Sequence, residues 1–224
     1  MTSTTKTSKT DPTEILAAIR TFLAGDTLPS VSQVALTSRD PFRILISTMI
    51  SLRTRDEVTL AATDRLFELA QTARTMADLT HERVAAAIYP AGFYRTKARS
   101  ILAVSQILQQ QYGGSVPDTL EQLTALPGVG RKTANLVLGL GFAIPSICVD
   151  THVHRITNRL GWIETHSPDQ SEFELQHVLP TQWWIGVNEL LVRFGQQICT
   201  PQSPWCSRCP VAQKCPRVGV TRGR

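Results

Sequence analysis

No run of about 18 apolar residues occurs anywhere in the 224-residue chain, so no transmembrane helix is expected. The first ten residues lack the apolar stretch of a secretory leader and read as a short disordered tail. Sustained period-2 alternation bounded by turn residues is missing too, which excludes sheet-based fold classes. There is no internal repeat. Beyond Glu189 there is no acidic residue at all, while Arg193, Arg208, Lys214, Arg217, Arg222 and Arg224 follow. With a net charge of +5 and a pI of about 9.2, this basic end suits a polyanionic partner, although a solvated tail has the same composition. Cysteine is scarce, at five residues, and without a leader a disulfide framework is not expected. Four of the five gather near the C-terminus, which points to a metal site.

What is present is helical, and the fold class read from it is all-α. Asp11-Pro12-Thr13-Glu14 is an N-cap, a proline at the first helical position and an acid in the first turn, with Ile15, Leu16, Ile19 and Leu23 striped behind it. Residues 26–39 read as a loop with at most one helical turn. Asp40-Pro41 opens a second helix with Phe42, Leu45, Ile46, Met49 and Ile50 at helical spacing. Thr54 to Glu57 reads as a capping box for a helix reaching Leu69. Further helices are expected at about 75–79, 81–89 and 95–111. Asp118 is expected to cap the next, before helices at 131–140, 151–160, from Pro168, and at 182–198.

Leu126-Pro127-Gly128-Val129-Gly130-Arg131-Lys132 lies between two of these helices. Glycines two apart permit a tight turn whose N–H groups point outward beside a helix N-terminus, a seat for a phosphate. The pattern is a helix-hairpin-helix turn; a plain helical hairpin with a glycine stop has similar spelling. Lys132 falls in the first turn of the second helix, where the macrodipole disfavours a cation. A lysine so placed either meets a phosphate or works as a neutral nucleophile. Asp150, 18 positions later, is either an ordinary helix cap or a rigidly held catalytic carboxylate, and the two roles are compatible.

Cys199, Cys206, Cys209 and Cys215 are spaced C-x6-C-x2-C-x5-C. Zinc sites usually pair two short knuckles across a longer spacer, so this close, irregular run favours a [4Fe–4S] cubane over zinc. Cys148, distant in sequence, reads as a small buried hydrophobe.

Together these residues resemble the endonuclease III family of DNA base-excision glycosylases. The resemblance runs from about Asp11 to Cys215 and rests on the 126–135 stretch, on Val149-Asp150-Thr151-His152 and on the complete cysteine spacing. It implies two helical domains with the active site in the cleft between them. A six-helix barrel would span 34–144, with its helix-hairpin-helix at about 118–140. An iron–sulfur cluster domain would combine 11–33 with 145–224. Lys132 is similar to the family nucleophile and Asp150 to its catalytic carboxylate. Gly128, Val129, Gly130 and Arg131 would grip phosphate beside the lesion.

The family excises oxidised or ring-saturated pyrimidines and cleaves the abasic strand. Expected partners are therefore double-stranded DNA with damaged bases or abasic sites, met by a monomer in the cytoplasm, nucleoid-associated if prokaryotic. Phe93 falls where the family has an apolar wedge; a helix-start staple would also suit it. Arg155 and Arg159, four apart on one helix face, suit phosphate contact or surface ion pairing. The chain departs from the bacterial pattern at Arg53, where a gap-filling glutamine is usual. It departs again in the uncharged loop 200–205, and at Thr124, where the family often has an acid. A monofunctional mismatch adenine glycosylase would share turn, aspartate and cluster but normally lacks the lysine and adds a C-terminal domain. A non-enzymatic helix-hairpin-helix module would not need Asp150.

Overall fold

The computed structural model describes residues 11–224. The expected tail at 1–10 lies outside the described residues. Among the described residues there are twelve α-helices and no strands, and no helix is long and apolar enough to cross a membrane. The chain forms two compact units: Leu28–Cys148, and the described residues up to Thr27 together with Val149–Arg224.

The described residues begin with α1 (Pro12–Phe22), started by Asp11, whose carboxylate accepts from the Thr13 N–H at 2.9 Å. It then builds the first unit from α2 (Ser30–Thr37), α3 (Pro41–Ser51), α4 (Asp56–Leu69), α5 (Ala73–Ala77), α6 (His81–Ile88), α7 (Tyr94–Gln111), α8 (Leu120–Thr124) and α9 (Arg131–Phe142). Six of these eight helices have eight residues or more, and α3 is their hub, packed against α2, α4, α7 and α9. Its Ile44, Leu45, Ile46, Met49 and Ile50 are all buried, each contributing about 1.5–3 kcal/mol relative to exposure.

This unit reaches further at both ends than the resemblance implies. Residues 30–37 are a helix rather than a loop, and the Ser30 N–H donates to Asp56 at 3.0 Å, which joins α2 to the start of α4. At the other end, the Ser146 hydroxyl donates to the Asn135 carbonyl at 2.7 Å and holds 144–148 against α9.

In the second unit α10 (Thr151–Arg159), α11 (Pro168–Val178) and α12 (Val187–Gln197) join α1. The stripe Ile15, Leu16, Ile19 and Leu23 is buried as its spacing predicts, and α1 and α10 both pack on α12. Arg193 of α12 donates to the Leu23 carbonyl at 2.5 Å, and Lys214 pairs with Glu14, fastening α1 to the segment that follows α12.

Candidate functional site

In the first unit the turn before α9 is built as its glycines require. Gly128 has φ +80, and an added Cβ would lie 3.2 Å from the Ser100 hydroxyl, so both conformation and space select glycine. The Val129 side chain points into the core at 5% exposure, leaving only its backbone for a ligand. Gly130 is the N-cap of α9, with open space where a Cβ would go. It has no side chain with which to cap, and the first N–H groups of an α-helix have no intrahelical acceptor. Arg131 and Lys132 therefore open a helix whose start suits an anion. Lys132 is exposed.

Lys132 shares an open depression of about 450 Å³ with Leu52, Arg53, Phe93 and Lys97. Arg53 and Phe93 are exposed, and both hold left-handed backbone, at φ +54 and +57. Phe93 is 64% exposed, so it does not act as a staple, and the Arg53 guanidinium lies over its ring, 5.6 Å from the centroid. Lys97 is 8% exposed and donates to the Ile50 carbonyl (2.6 Å), the Leu52 carbonyl (2.5 Å) and the Thr54 hydroxyl (2.8 Å). Burial pushes its pKa down to about 8. The Thr54 hydroxyl also accepts from the Gly92 N–H at 3.1 Å. That is why the expected capping box at 54–57 does not form: α4 starts at Asp56, and its N-cap, Arg55, makes no side-chain cap. Lys97 escaped the sequence reading because one lysine on a long helix resembles a solvated charge. Its spacing with Ile101, Val104 and Leu108, all buried, is the signal that places it on the inner face.

In the second unit Asp150 caps α10, its Oδ1 accepting from the N–H groups of His152 (2.8 Å) and Val153 (2.9 Å). The carboxylate is half-buried and fixed by the backbone it caps. Arg155 and Arg159, on the same helix, turn to the loop that carries the cysteines. Arg155 donates to the Cys199 carbonyl at 2.8 Å. Arg159 donates to the carbonyls of Thr200 (2.7 Å) and Pro201 (2.6 Å) and to Cys199 Sγ (3.4 Å). The uncharged 200–205 loop is thus supplied with positive charge from α10. Trp205 carries two more cations over its ring, Arg224 at 4.0 Å and Arg208 at 5.7 Å.

Cys199, Cys206, Cys209 and Cys215 all line one small cavity of about 30 Å³, walled by Ile156, Phe194, Ile198 and Val211 among others. Among the described residues no three His, Cys, Asp or Glu side chains gather tightly enough for a single metal ion. Four cysteines around one apolar-walled space are a donor set suited to a thiolate-bound metal centre. Burial raises the Cys209 thiol to about 11 and raises Cys215 as well, so positive charge at the centre of the ring is what would hold them as thiolates. Cys148 stands apart, buried at 2% exposure.

Residues 46–181, which contain the glycine turn, Lys132 and Asp150, match the model of the HhH-GPD superfamily of base excision DNA repair proteins. The chain belongs to that superfamily. Within the HhH-GPD proteins it is 50% identical over 176 residues to endonuclease III of Thermotoga maritima, covering 79% of this chain and 83% of that one. It is 42% identical to endonuclease III-like protein 1 of Gallus gallus over 178 residues, covering 78% of this chain and 63% of the other. A solved structure described as a trapped endonuclease III–DNA covalent intermediate matches with a TM-score of 0.81 at 33% identity, covering 92% of this chain and 94% of that one. This HhH-GPD protein is a base excision repair glycosylase and abasic-site lyase of the endonuclease III type.

Proposed function

We propose that the protein removes oxidised or ring-saturated pyrimidines from duplex DNA and cuts the strand 3′ to the abasic site by β-elimination. The observation that carries this reading is Lys132: an exposed primary amine at the second position of an uncapped helix start, directly after the Gly128–Gly130 turn. The damaged nucleotide leaves the base stack, because its C1′ is unreachable within it. The backbone of Gly128 to Gly130 and Arg131 hold the neighbouring phosphate. The neutral Lys132 amine attacks C1′, the bond to the base breaks, and the base departs with the bonding electrons and takes up a proton. The sugar ring opens to an imine on the Lys132 nitrogen. That imine acidifies the C2′ hydrogen, whose loss expels the 3′ phosphate.

Asp150, ionised, stabilises the positive charge that grows on the sugar as the base leaves. Its cap bonds fix the carboxylate beforehand, so little reorganisation accompanies the step. Cys199, Cys206, Cys209 and Cys215 hold a [4Fe–4S] cluster, which when bound supplies a cross-link for the 199–215 loop and a redox-active centre.

The test is borohydride trapping on duplex DNA carrying thymine glycol. The wild-type protein becomes covalently attached and the Lys132→Ala variant does not. Strand cleavage that survives in Lys132→Ala overturns the assignment of the nucleophile.

A further inference from the structure

Arg53 and Phe93 come from different loops, yet both hold backbone that side chains other than glycine rarely adopt. Such strain persists only where the surroundings over-determine it. Here the surroundings converge on Lys97, one helical turn beyond Phe93 on α7. Its three acceptors, at Ile50, Leu52 and Thr54, are the frayed end of α3 and the turn that carries Arg53. The two carbonyls can only accept, so they take two N–H bonds of the amine, and the Thr54 hydroxyl completes its hydrogen bonding. Through the Thr54 hydroxyl the same group reaches the N–H of Gly92, the residue before Phe93. Gly92 in turn lies so close to the Arg53 carbonyl oxygen that any Cβ there would overlap it. The two loops are therefore joined twice, by the Lys97–Thr54–Gly92 chain and by direct packing of Gly92 on Arg53.

We propose that Lys97 is a positioning residue for DNA distortion, locking the Arg53 turn and the Phe93 loop together so that the stacked Arg53–Phe93 pair meets the duplex as one preformed wedge. The inference rests on the proposed excision activity and adds a residue that touches neither the reacting atoms nor the DNA. A preformed wedge spends no binding energy on ordering two loops while a base step is being unstacked. A loose one loses orientation at the reacting centre, where a misplacement of about 1 Å can cost on the order of a hundredfold. Lys97 acts only on the step that opens the duplex; attack of Lys132 on an aldehyde already exposed does not need it.

The experiment compares single-turnover rates of the full-length, iron-loaded protein on two substrates. One is duplex DNA with thymine glycol; the other is a single-stranded oligonucleotide with a preformed abasic site, which needs no flipping. Lys97→Met is expected to slow the duplex reaction on the order of tenfold to a hundredfold while staying within about threefold of wild type on the single strand. Phe93→Ala, made in the Lys97→Met background, is expected to cost less than it does alone, because the wedge is already undone. Equal losses on both substrates, or strictly additive effects, overturn the proposal in favour of a purely structural lysine. If Lys97→Met does not fold, Thr54→Val carries the same comparison, since it keeps the amine and removes the bridge to Gly92; a wild-type duplex rate in that variant also overturns it. A wild-type protein inactive on both substrates instead refutes the functional reading beneath it.

Discussion

Arg159 donates one N–H to Sγ of Cys199 at 3.4 Å while its others take the carbonyls of Thr200 and Pro201. One guanidinium thus ties α10 to both the first cluster cysteine and the loop behind it. Arg159→Met is expected to lower unfolding stability by about 2 kcal/mol, in the range of hydrogen bonds to charged groups. In air, the visible absorbance of the cluster should also decay faster than in wild type. Affinity for undamaged duplex should keep its salt dependence. A salt slope reduced by about one would instead put Arg159 on a phosphate.

Asp150 has two tasks that substitution can separate. Asn caps helices as well as Asp does, so Asp150→Asn should change stability by only a few tenths of a kcal/mol while excision falls on the order of a hundredfold or more. Asp150→Ala should lose both, adding about 1 kcal/mol of destabilisation for the missing cap. Thermal melts beside single-turnover excision decide it. Activity that merely follows stability across the two variants would leave Asp150 a cap alone.

Two glycines in one turn should answer differently to the same substitution. Gly128→Ala puts a Cβ at φ +80 against Ser100 and should destabilise the protein by about 1–2 kcal/mol. Gly130→Ala meets open space at φ −95, so stability should hold within about 0.5 kcal/mol. Its methyl group would nonetheless stand over the α9 start, and duplex affinity should fall. Urea titration and fluorescence anisotropy on the two variants test the pair; unchanged affinity in Gly130→Ala would remove the phosphate from this turn.

The local parts of this protein were legible from its spelling, and the non-local parts were not. The Asp11 and Asp150 caps and the Gly128–Gly130 turn are made by residues two to four apart, so their chemistry is written in order. The helix at 30–37 was missed because Pro29 starts it without a side-chain cap and its polar content resembles a loop. Thr54 was misread because its hydroxyl is claimed from far along the chain, by Gly92 and Lys97. Arg155 and Arg159 spell an exposed basic face, yet carbonyls some forty residues away occupy it. Spacing alone shows which residues share a face, not what arrives to cover it.

Lys97 also makes stability depend on alkaline pH. Its folded pKa of about 8 lies below the ordinary lysine value of about 10.4. Below pH 8 the amine is charged in both states. Between about 8 and 10.4 the unfolded chain binds more protons than the folded one, so this group's contribution to stability rises with pH. The stability of wild type minus that of Lys97→Met should therefore increase by about 2 kcal/mol between pH 7.5 and 9.5, read from paired urea titrations. Parallel pH curves for the two proteins would contradict it.

The second unit takes its first helix from one side of Leu28–Cys148 and the rest from the other. On the ribosome, α1 is therefore made long before α12, the surface that covers Ile15, Leu16, Ile19 and Leu23. The contiguous unit Leu28–Cys148 can fold while these side chains are still waiting for their partner. The Arg193–Leu23 and Lys214–Glu14 contacts form only when the newest residues reach back to nearly the oldest. The cysteine-bearing unit is thus completed only after the whole of Leu28–Cys148 has been made, and α1 is the latch that closes it.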